Sequence, residues 1–278
     1  MRLLAIADIH LSFKANKDEW DKLEHHEEDG LILAGDVGES LEHMTEACKR
    51  ATRRFKHVFW VPGNHELYTS SAPQMSDEER SLRGEAKYLA CVKVARHYGV
   101  LTPEDDFMTW TYTNVDGIEE KAIICPVFTL YDYSFRPADV SREDALDWAL
   151  EEGIQATDEA LLHPDPYPTR DAWCMSLDTI YIPRVPRFTL WCGTTLTHNW
   201  HTRFNAKCVV TGHLHVRRTD WIDGVRFEEV SLGYPRQWED AKGAGNGVNE
   251  MLREILPGPP TPVKGQEPPT EFRRFGQR

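Results

Sequence analysis

Four short polar clusters in this sequence carry the residue types that bind metal ions. They are Asp8-Ile9-His10, Gly35-Asp36-Val37, Gly63-Asn64-His65-Glu66 and Gly212-His213-Leu214-His215. In an extended segment, residues two apart point the same way, so Asp8 and His10 converge on one point. His213 and His215 repeat that spacing. Carboxylate oxygens mixed with imidazole nitrogens suit Mn²⁺, Fe or Zn²⁺ and are too rich in nitrogen for Ca²⁺ or Mg²⁺.

Each cluster directly follows a short apolar run, at residues 3–7, 31–34, 58–61 and 208–211. Such runs are typical of buried strands, and another covers 122–127. Residues 41–55 and 85–98 carry apolar side chains at three- and four-residue steps, as amphipathic helices do. A single histidine or Asp36 alone would be an ordinary polar or turn-capping residue. Four clusters in this order predict an α/β sandwich with a metal site where its strands end.

The rest of the chain is more irregular. Residues 217–222 and 225–230 are joined by Asp223-Gly224, which predicts a β-hairpin. Residues 132–188 are rich in proline and aromatic residues and are predicted to form an inserted cap. Gly and Pro accumulate over residues 241–278, which predicts a flexible tail after a main domain of residues 1–240.

The composition narrows the class of protein. Of 278 residues, 40% are apolar and 28% charged, as in soluble globular proteins. Neither an apolar run of about 18 residues nor a basic-then-apolar leader occurs, so we expect a cytoplasmic protein without a membrane span. The six cysteines are scattered and predict neither a disulfide frame nor a zinc knuckle. A net charge of −13 disfavours nucleic acid as a partner.

The ordered motifs D-x-H, G-D, G-N-H-E and G-H-x-H resemble those of the calcineurin-like metallophosphoesterase superfamily, over residues 2 to 238. The resemblance implies a four-layer α/β/β/α sandwich that binds two metal ions. One ion would be held by Asp8, His10, Asp36 and His215. The second would be held by Asp36, Asn64 and His213, with Asp36 bridging the two ions.

The same resemblance assigns the remaining chemistry. His65 corresponds to a histidine that stabilises the transition state or protonates the leaving oxygen. Glu39 is placed to orient His65, although an ordinary carboxylate at a helix start explains Glu39 nearly as well. Two cations about 3.5–4 Å apart would share a water, lower its pKa and clamp the phosphoryl oxygens for in-line attack.

One ligand of the family pattern is missing, a histidine in an N-H-x-P turn shortly before G-H-x-H. Either the second metal has lost this ligand, with His198 or His201 substituting, or residues 174–177 mark a join across a segment that the sequence lacks. We favour the join. Deleting a strand and its crossover helix would remove more of the core than a stability of roughly 5–15 kcal/mol allows.

Several aromatic-rich segments resemble a narrower group, typified by a mycobacterial calcineurin-like hydrolase, that removes 4′-phosphopantetheine from carrier proteins. They contain Tyr133, Trp191, Trp200, His201 and Arg203. We expect Arg203, His201 and Tyr133 to bind substrate, with Arg170 or Arg136 as other partners for a phosphate. The alternative is that Tyr131, Tyr133, Phe135, Trp191 and Trp200 pack the insert onto the sandwich.

Three other functions stay open at this point. A phosphomonoesterase or nucleotide phosphatase would use the same metals. A non-catalytic scaffold could keep the fold, but the aligned metal and proton-transfer positions are intact. A nuclease is disfavoured by the acidic charge and by the lack of a long basic stripe. The sequence therefore favours a two-metal phosphodiesterase acting on a phosphate ester, with a carrier protein as the expected partner.

Overall fold

The computed structural model of the chain describes residues 1–69, 75–167, 186–238, 247–263 and 265–273. The chain divides into two units. The first comprises Met1–Glu66, Leu89–Val127 and Ala206–Arg278, and the second comprises Leu67–Tyr88 and Phe128–Asn205. Residues 174–177, the expected join, lie outside the described residues, and so does Arg170.

The strands of the described residues are β1 (Leu3–Ile6), β2 (His26–Ala34), β3 (Phe55–Val61), β4 (Met108–Thr113), β5 (Glu119–Ile124), β6 (Cys208–Thr211), β7 (Arg218–Ile222), β8 (Val225–Glu229), β9 (Arg253–Leu256) and β10 (Glu271–Phe272). The helices are α1 (Lys14–Trp20), α2 (Leu41–Arg54), α3 (Asp77–Ser81), α4 (Gly84–His97), α5 (Ala145–Leu150), α6 (Asp158–Leu161), α7 (Trp200–Arg203) and α8 (Val248–Met251). Short 3₁₀ helices cover His65–Leu67, Pro186–Trp191, Thr195–Thr197 and Pro235–Gln237.

Two four-stranded sheets and the two-stranded β4–β5 pair belong to the first unit. One four-stranded sheet has the order β3-β2-β1-β9 and the other the order β10-β7-β8-β6. β1, β2 and β3 are parallel, β6 is parallel to β8, and a parallel bridge joins Ala7 to Ser231. The carboxyl ends of β1, β2, β3 and β6 therefore point the same way, as the α/β prediction requires.

Apolar side chains from both sheets and from the β4–β5 pair share one core. Its buried members include Leu3, Phe59, Trp110, Val230 and Ile255. Each large side chain buried in this way contributes about 1.5–3 kcal/mol. Beside the sheet, α2 buries Met44, Ala47, Cys48 and Ala51. The Ser40 hydroxyl accepts the His43 N–H at 3.1 Å and so caps the start of α2.

The sequence prediction differs from the structure at β4 and β5. The run at 122–127 was expected to be a buried strand, but β5 ends at Ile124 and pairs antiparallel with β4, which was not predicted. Only one face of this pair is covered, because Ile124 is buried while Ile123 is 64% exposed. In β4, Trp110 and Tyr112 alternate with threonines, which is the pattern of a half-buried strand.

Part of the predicted flexible tail is paired into the sheets. β9 lies antiparallel to β1, with Leu3 opposite Leu256, and β10 pairs with β7. Ile255 and Leu256 are buried in the core. These two apolar residues lie among glycines and prolines, so composition alone did not reveal the strand.

The second unit has a core of its own. Tyr131, Ala145, Ala149, Leu190 and Trp191 are buried together. Tyr131 and Trp191 therefore pack within this unit, while their packing onto the sandwich and the role of 132–188 as a cap stay predictions. Within the described ranges, none of the helices combines the length and the apolar character that crossing a bilayer requires.

Candidate metal centre

The metal-binding candidates occupy loops at the carboxyl ends of β1, β2, β3 and β6. Five of them have left-handed backbone conformations: Asp8 (φ 53°), His10 (40°), Asp36 (52°), His213 (77°) and His215 (55°). This region of φ is uncommon for residues other than glycine, and such strain concentrates at functional sites. Hydrogen bonds hold the loops in place, from Asp8 N to Gly35 O at 2.9 Å and from His10 N to Asp36 O at 3.0 Å.

Asp8, His10 and His215 form the first group of donor atoms, all within 4.8 Å of one another. The Nε2 atoms of His10 and His215 are 3.2 Å apart, and His215 Nε2 lies 3.2 Å from Asp8 Oδ1. Burial opposes ionisation of Asp8, but His215 and the Ser231 hydroxyl outweigh it and lower the pKa of this carboxyl. Burial lowers the pKa of His10 well below its usual value, so that its ring is neutral.

A second group shares His10 and adds Asp36 and His65. Asn64 and His213 lie close to each other, with Asn64 Oδ1 3.2 Å from His213 Nδ1. The His213 N–H also donates to both oxygens of Asp8, at 3.0 and 2.9 Å. The structure thus brings together all six residues that the sequence proposed as metal ligands.

The donor set fits metal ions. The ionised carboxylate of Asp8 and the neutral ring of His10 are in the protonation states that ligands require, whereas burial lowers the pKa of His215 and the facing Asp8 outweighs burial and raises it. Nδ1 of His10 is buried and has no hydrogen-bond partner among the described residues. Burying polar atoms without partners is costly, and a bound cation would offset part of this cost by engaging the rings and carboxylates that face one another.

His65 and Glu39 are also close to each other. His65 Nδ1 lies 3.4 Å from Glu39 Oε1, and the His65 N–H donates to Asp36 Oδ1 at 3.0 Å. Burial lowers the pKa of His65, but Asp36 and Glu39 outweigh burial and raise it to about 9. The ring therefore carries a proton, as a group that stabilises negative charge or protonates a leaving oxygen must.

Glu66 ties the Asp36 and Asn64 loops together. This buried carboxylate accepts the backbone N–H groups of Asp36 (3.1 Å), Val37 (2.6 Å) and Gly63 (2.8 Å). Burial and the nearby Asp36 raise the pKa of Glu66 to about 7. A Cβ at Gly63 would come within 2.1 Å of Asp36 Oδ1, so only glycine permits this approach.

The chain matches a known protein family. The family model described as calcineurin-like phosphoesterase matches residues 1–217. The chain belongs to the calcineurin-like phosphoesterase family. Its fold is therefore the metallophosphoesterase fold, and the protein is an enzyme that hydrolyses phosphoric esters with the aid of metal ions.

Two matches to individual proteins are more specific than the family match. The chain is 42% identical over 286 residues to [Acyl-carrier-protein] phosphodiesterase PptH of Mycobacterium tuberculosis, covering 92% of this chain and 84% of the relative. A crystal structure of phosphopantetheinyl hydrolase (PptH) from Mycobacterium tuberculosis matches with a TM-score of 0.80 and 41% identity. It covers 93% of this chain and 96% of that chain.

Three residues around the calcineurin-like site were not identified from the sequence. The Ser231 hydroxyl donates to Asp8. The amide oxygen of Gln237 lies 2.8 Å from Nδ1 of His215 and accepts the Tyr234 N–H at 2.7 Å. The Tyr234 ring stacks on His10 with centroids 4.6 Å apart. No motif spacing marks these residues, because they meet the ligands only in the folded chain.

The predicted substrate residues Tyr133, His201 and Arg203 all belong to the second unit. The Tyr133 hydroxyl donates to Glu159 Oε1 at 2.7 Å, and His201 is buried in α7. The Arg203 guanidinium lies 5.3 Å from the ring centroid of Phe204. Their binding of substrate stays a prediction. So does the possible use of His198 or His201 as a substitute metal ligand.

Proposed function

We propose that this calcineurin-like phosphoesterase releases 4′-phosphopantetheine from an acyl carrier protein by hydrolysing their phosphodiester. The observation that carries the proposal is the gathering of six oxygen and nitrogen donors at the carboxyl ends of β1, β2, β3 and β6, in a chain 42% identical to an acyl-carrier-protein phosphodiesterase. We further propose that two ions are bound, drawn from Mn, Fe and Zn. The cytoplasmic location expected from the sequence is part of the same proposal.

The proposed division of ligands is the one implied by the family pattern. Asp8, His10, Asp36 and His215 would hold one ion. Asp36, Asn64 and His213 would hold the other. When bound, the ions supply an activated water and neutralise the charge that develops on the phosphoryl oxygens.

The protein's own residues contribute position and protons. Glu66 fixes the backbone on both sides of Asp36, which supports a bridging role for that carboxylate. His65 bears a proton and lies beside Glu39, which orients it. In hydrolysis a water oxygen bonds to phosphorus and one P–O ester bond breaks. His65 is the described group best suited to give the departing oxygen its proton, a role typically worth about 10²–10⁴-fold in rate.

The direct test incubates a 4′-phosphopantetheinyl acyl carrier protein with purified enzyme and Mn²⁺, Fe²⁺ or Zn²⁺. Mass spectrometry of the carrier protein then reports loss of the arm. We expect release by the wild type and none by Asp36→Asn, a variant of similar size that lacks the charge proposed to bridge the ions. Elemental analysis of protein purified without chelator gives the identity and number of bound metals.

A phosphomonoesterase is the second candidate, since the same donor set could serve it. Comparing bis-p-nitrophenyl phosphate with p-nitrophenyl phosphate under matched metal conditions separates the two. Preference for the diester supports the proposal, and a clear preference for the monoester reverses the order. The absence of hydrolysis of any phosphoester with all three metals would favour a scaffold.

A further inference from the structure

An aromatic pair lies beside the metal centre. The Tyr234 ring stacks on His10 at an interplanar angle of 25° and meets His215 edge-on, with ring centroids 4.7 Å apart. Phe13 packs against Tyr234 with ring centroids 5.4 Å apart and against His10 at 6.5 Å. Phe13 is 42% exposed. The two rings therefore extend an apolar surface from the proposed metal ligands to solvent.

The turn that carries Tyr234 is anchored to the same centre. The Gly233 N–H donates to Asp8 O at 3.0 Å, and the Leu232 N–H donates to Ala7 O at 2.8 Å. Gln237 joins the Tyr234 backbone to His215 through one amide oxygen. The ring is thus positioned before any ligand arrives, which lowers the ordering cost of binding.

Arg236 adds a positive charge to this surface. Its side chain is exposed, and the guanidinium carbon lies 5.8 Å from the Tyr234 ring centroid. Among the described residues, no carboxylate forms an ion pair with Arg236 and no side-chain hydrogen bond engages it. The guanidinium of Arg236 is therefore available to bind an anion, although the net charge of the whole chain is −13. A guanidinium can bind two phosphate oxygens at once.

A phosphoryl group with an organic arm matches these three side chains. We propose that Phe13, Tyr234 and Arg236, here called the aromatic rim, bind the 4′-phosphopantetheine part of the substrate. Arg236 contacts a phosphoryl oxygen, and the two rings carry the arm, whose methyl and methylene groups pack on aromatic faces. This assignment rests on the proposed phosphodiesterase function and adds the residues that select the arm.

Two product ligands distinguish the role of Arg236 in the aromatic rim from that of the two rings. Inorganic phosphate has no arm, whereas free 4′-phosphopantetheine has both phosphate and arm. Isothermal titration of metal-loaded protein measures the affinity for each. We expect Arg236→Gln to weaken both ligands by about tenfold or more, the scale of one hydrogen bond to a charged group. Arg236→Lys should restore part of the loss.

Phe13→Ala should act on one ligand only. We expect it to weaken 4′-phosphopantetheine by about fivefold or more, as loss of aromatic contact area implies. Its affinity for inorganic phosphate should match the wild type. Arg53→Gln is the matched control, because Arg53 is an exposed arginine at the far end of α2 from the Asp36 loop. Metal content, measured for every variant, should stay unchanged.

The inference is overturned if Arg236→Gln binds inorganic phosphate as tightly as the wild type. It is also overturned if Phe13→Ala weakens both ligands equally, since that result indicates a general disturbance of the centre. These titrations need no turnover. If the wild type releases no arm from the carrier protein yet shows the expected binding pattern, the proposed function fails while the aromatic rim stands as a binding site.

Discussion

Two clusters of buried charge in the first unit are built on opposite principles. Around Glu228, the chain supplies both signs of charge. This carboxylate accepts hydrogen bonds from Arg253, Arg273 and Thr219, each at 2.8 Å. At the metal centre, the equally buried Asp8 and Asp36 face imidazoles and backbone N–H groups, and no lysine or arginine pairs with either one among the described residues.

The difference shows which cluster serves stability and which serves binding. A buried carboxylate paired with arginines is satisfied when the chain folds. At the centre, burial raises the pKa of Asp36, His65 opposes this shift, and His10 keeps an unpartnered nitrogen. Buried polar groups without a protein partner can be satisfied by a bound ligand. The left-handed backbones of Asp8, His10 and Asp36 add strain to the metal centre.

The largest effect that distinguishes the metal centre from the Glu228 cluster is expected for His65→Asn. We expect kcat for the phosphodiester to fall about 10²–10⁴-fold, because the side chain proposed to protonate the departing oxygen is lost. His65 is not one of the proposed metal ligands, so metal content should be unchanged. Steady-state kinetics on bis-p-nitrophenyl phosphate and elemental analysis measure the two quantities.

Loss of metal in His65→Asn would contradict this assignment and make His65 a ligand. Glu39→Gln provides the milder comparison. It keeps the shape beside His65 but removes the charge that raises the pKa of His65. Its kcat should therefore lie between those of the wild type and His65→Asn.

The ligand positions were accessible from the sequence for a physical reason. Asp8, Asp36 and Asn64 follow β1, β2 and β3, which are parallel and end at one edge of their sheet, and His213 follows β6 in the other sheet. Gln237 could not be found in this way. It lies 22 residues beyond His215 in the 3₁₀ helix Pro235–Gln237, and only the folded chain brings the two together.

Breaking the internally paired cluster should affect stability instead. We expect Glu228→Ala to lower the free energy of unfolding by about 3–5 kcal/mol, because the buried Arg226 and the partly buried Arg253 and Arg273 lose their counter-charge. Denaturant unfolding followed by tryptophan fluorescence measures this change. The fraction that remains folded should keep the wild-type kcat.

The control is Glu254→Ala. Glu254 is the acidic residue that follows Arg253 in β9, and its side chain is partly exposed. It should change the unfolding free energy by less than about 0.5 kcal/mol. Should Glu228→Ala leave stability intact but abolish turnover, the division between the two clusters would be wrong.

The fold was predictable where the apolar runs are uninterrupted and less so elsewhere. β1, β2 and β3 contain short buried apolar runs and are parallel to one another, and β6 is a partly buried apolar run parallel to β8, so composition marks them. β4 is covered on one face, and β9 is a four-residue strand placed next to β1 by long-range pairing. Pairing across that distance depends on the tertiary core, which local sequence does not encode.

Metal binding should stabilise the centre and leave the Glu228 cluster unaffected. At a metal concentration 100 times the dissociation constant, we expect a gain of about 2.7 kcal/mol in unfolding free energy for each bound ion. Thermal unfolding with and without chelator measures it. The gain should be the same in wild type and in Glu228→Ala, and it should shrink in Asp8→Asn. Equal stability with and without chelator would show that a bound cation does not stabilise the buried donor atoms.

The smallest expected effect tests a single hydrogen bond at the centre. Gln237 accepts from His215 Nδ1 and so directs Nε2 towards Asp8. Removing such a supporting partner typically costs about 10–100-fold in metal affinity, and this is the loss that we expect for Gln237→Ala. Metal titration against a competing chelator measures it, with the exposed Gln266→Ala as control. Because Gln237 also holds the Tyr234 backbone, affinity for 4′-phosphopantetheine should fall at saturating metal. If metal affinity falls but 4′-phosphopantetheine binding does not, the anchoring of the Tyr234 turn is independent of Gln237, and Gly233 and Leu232 alone position the ring.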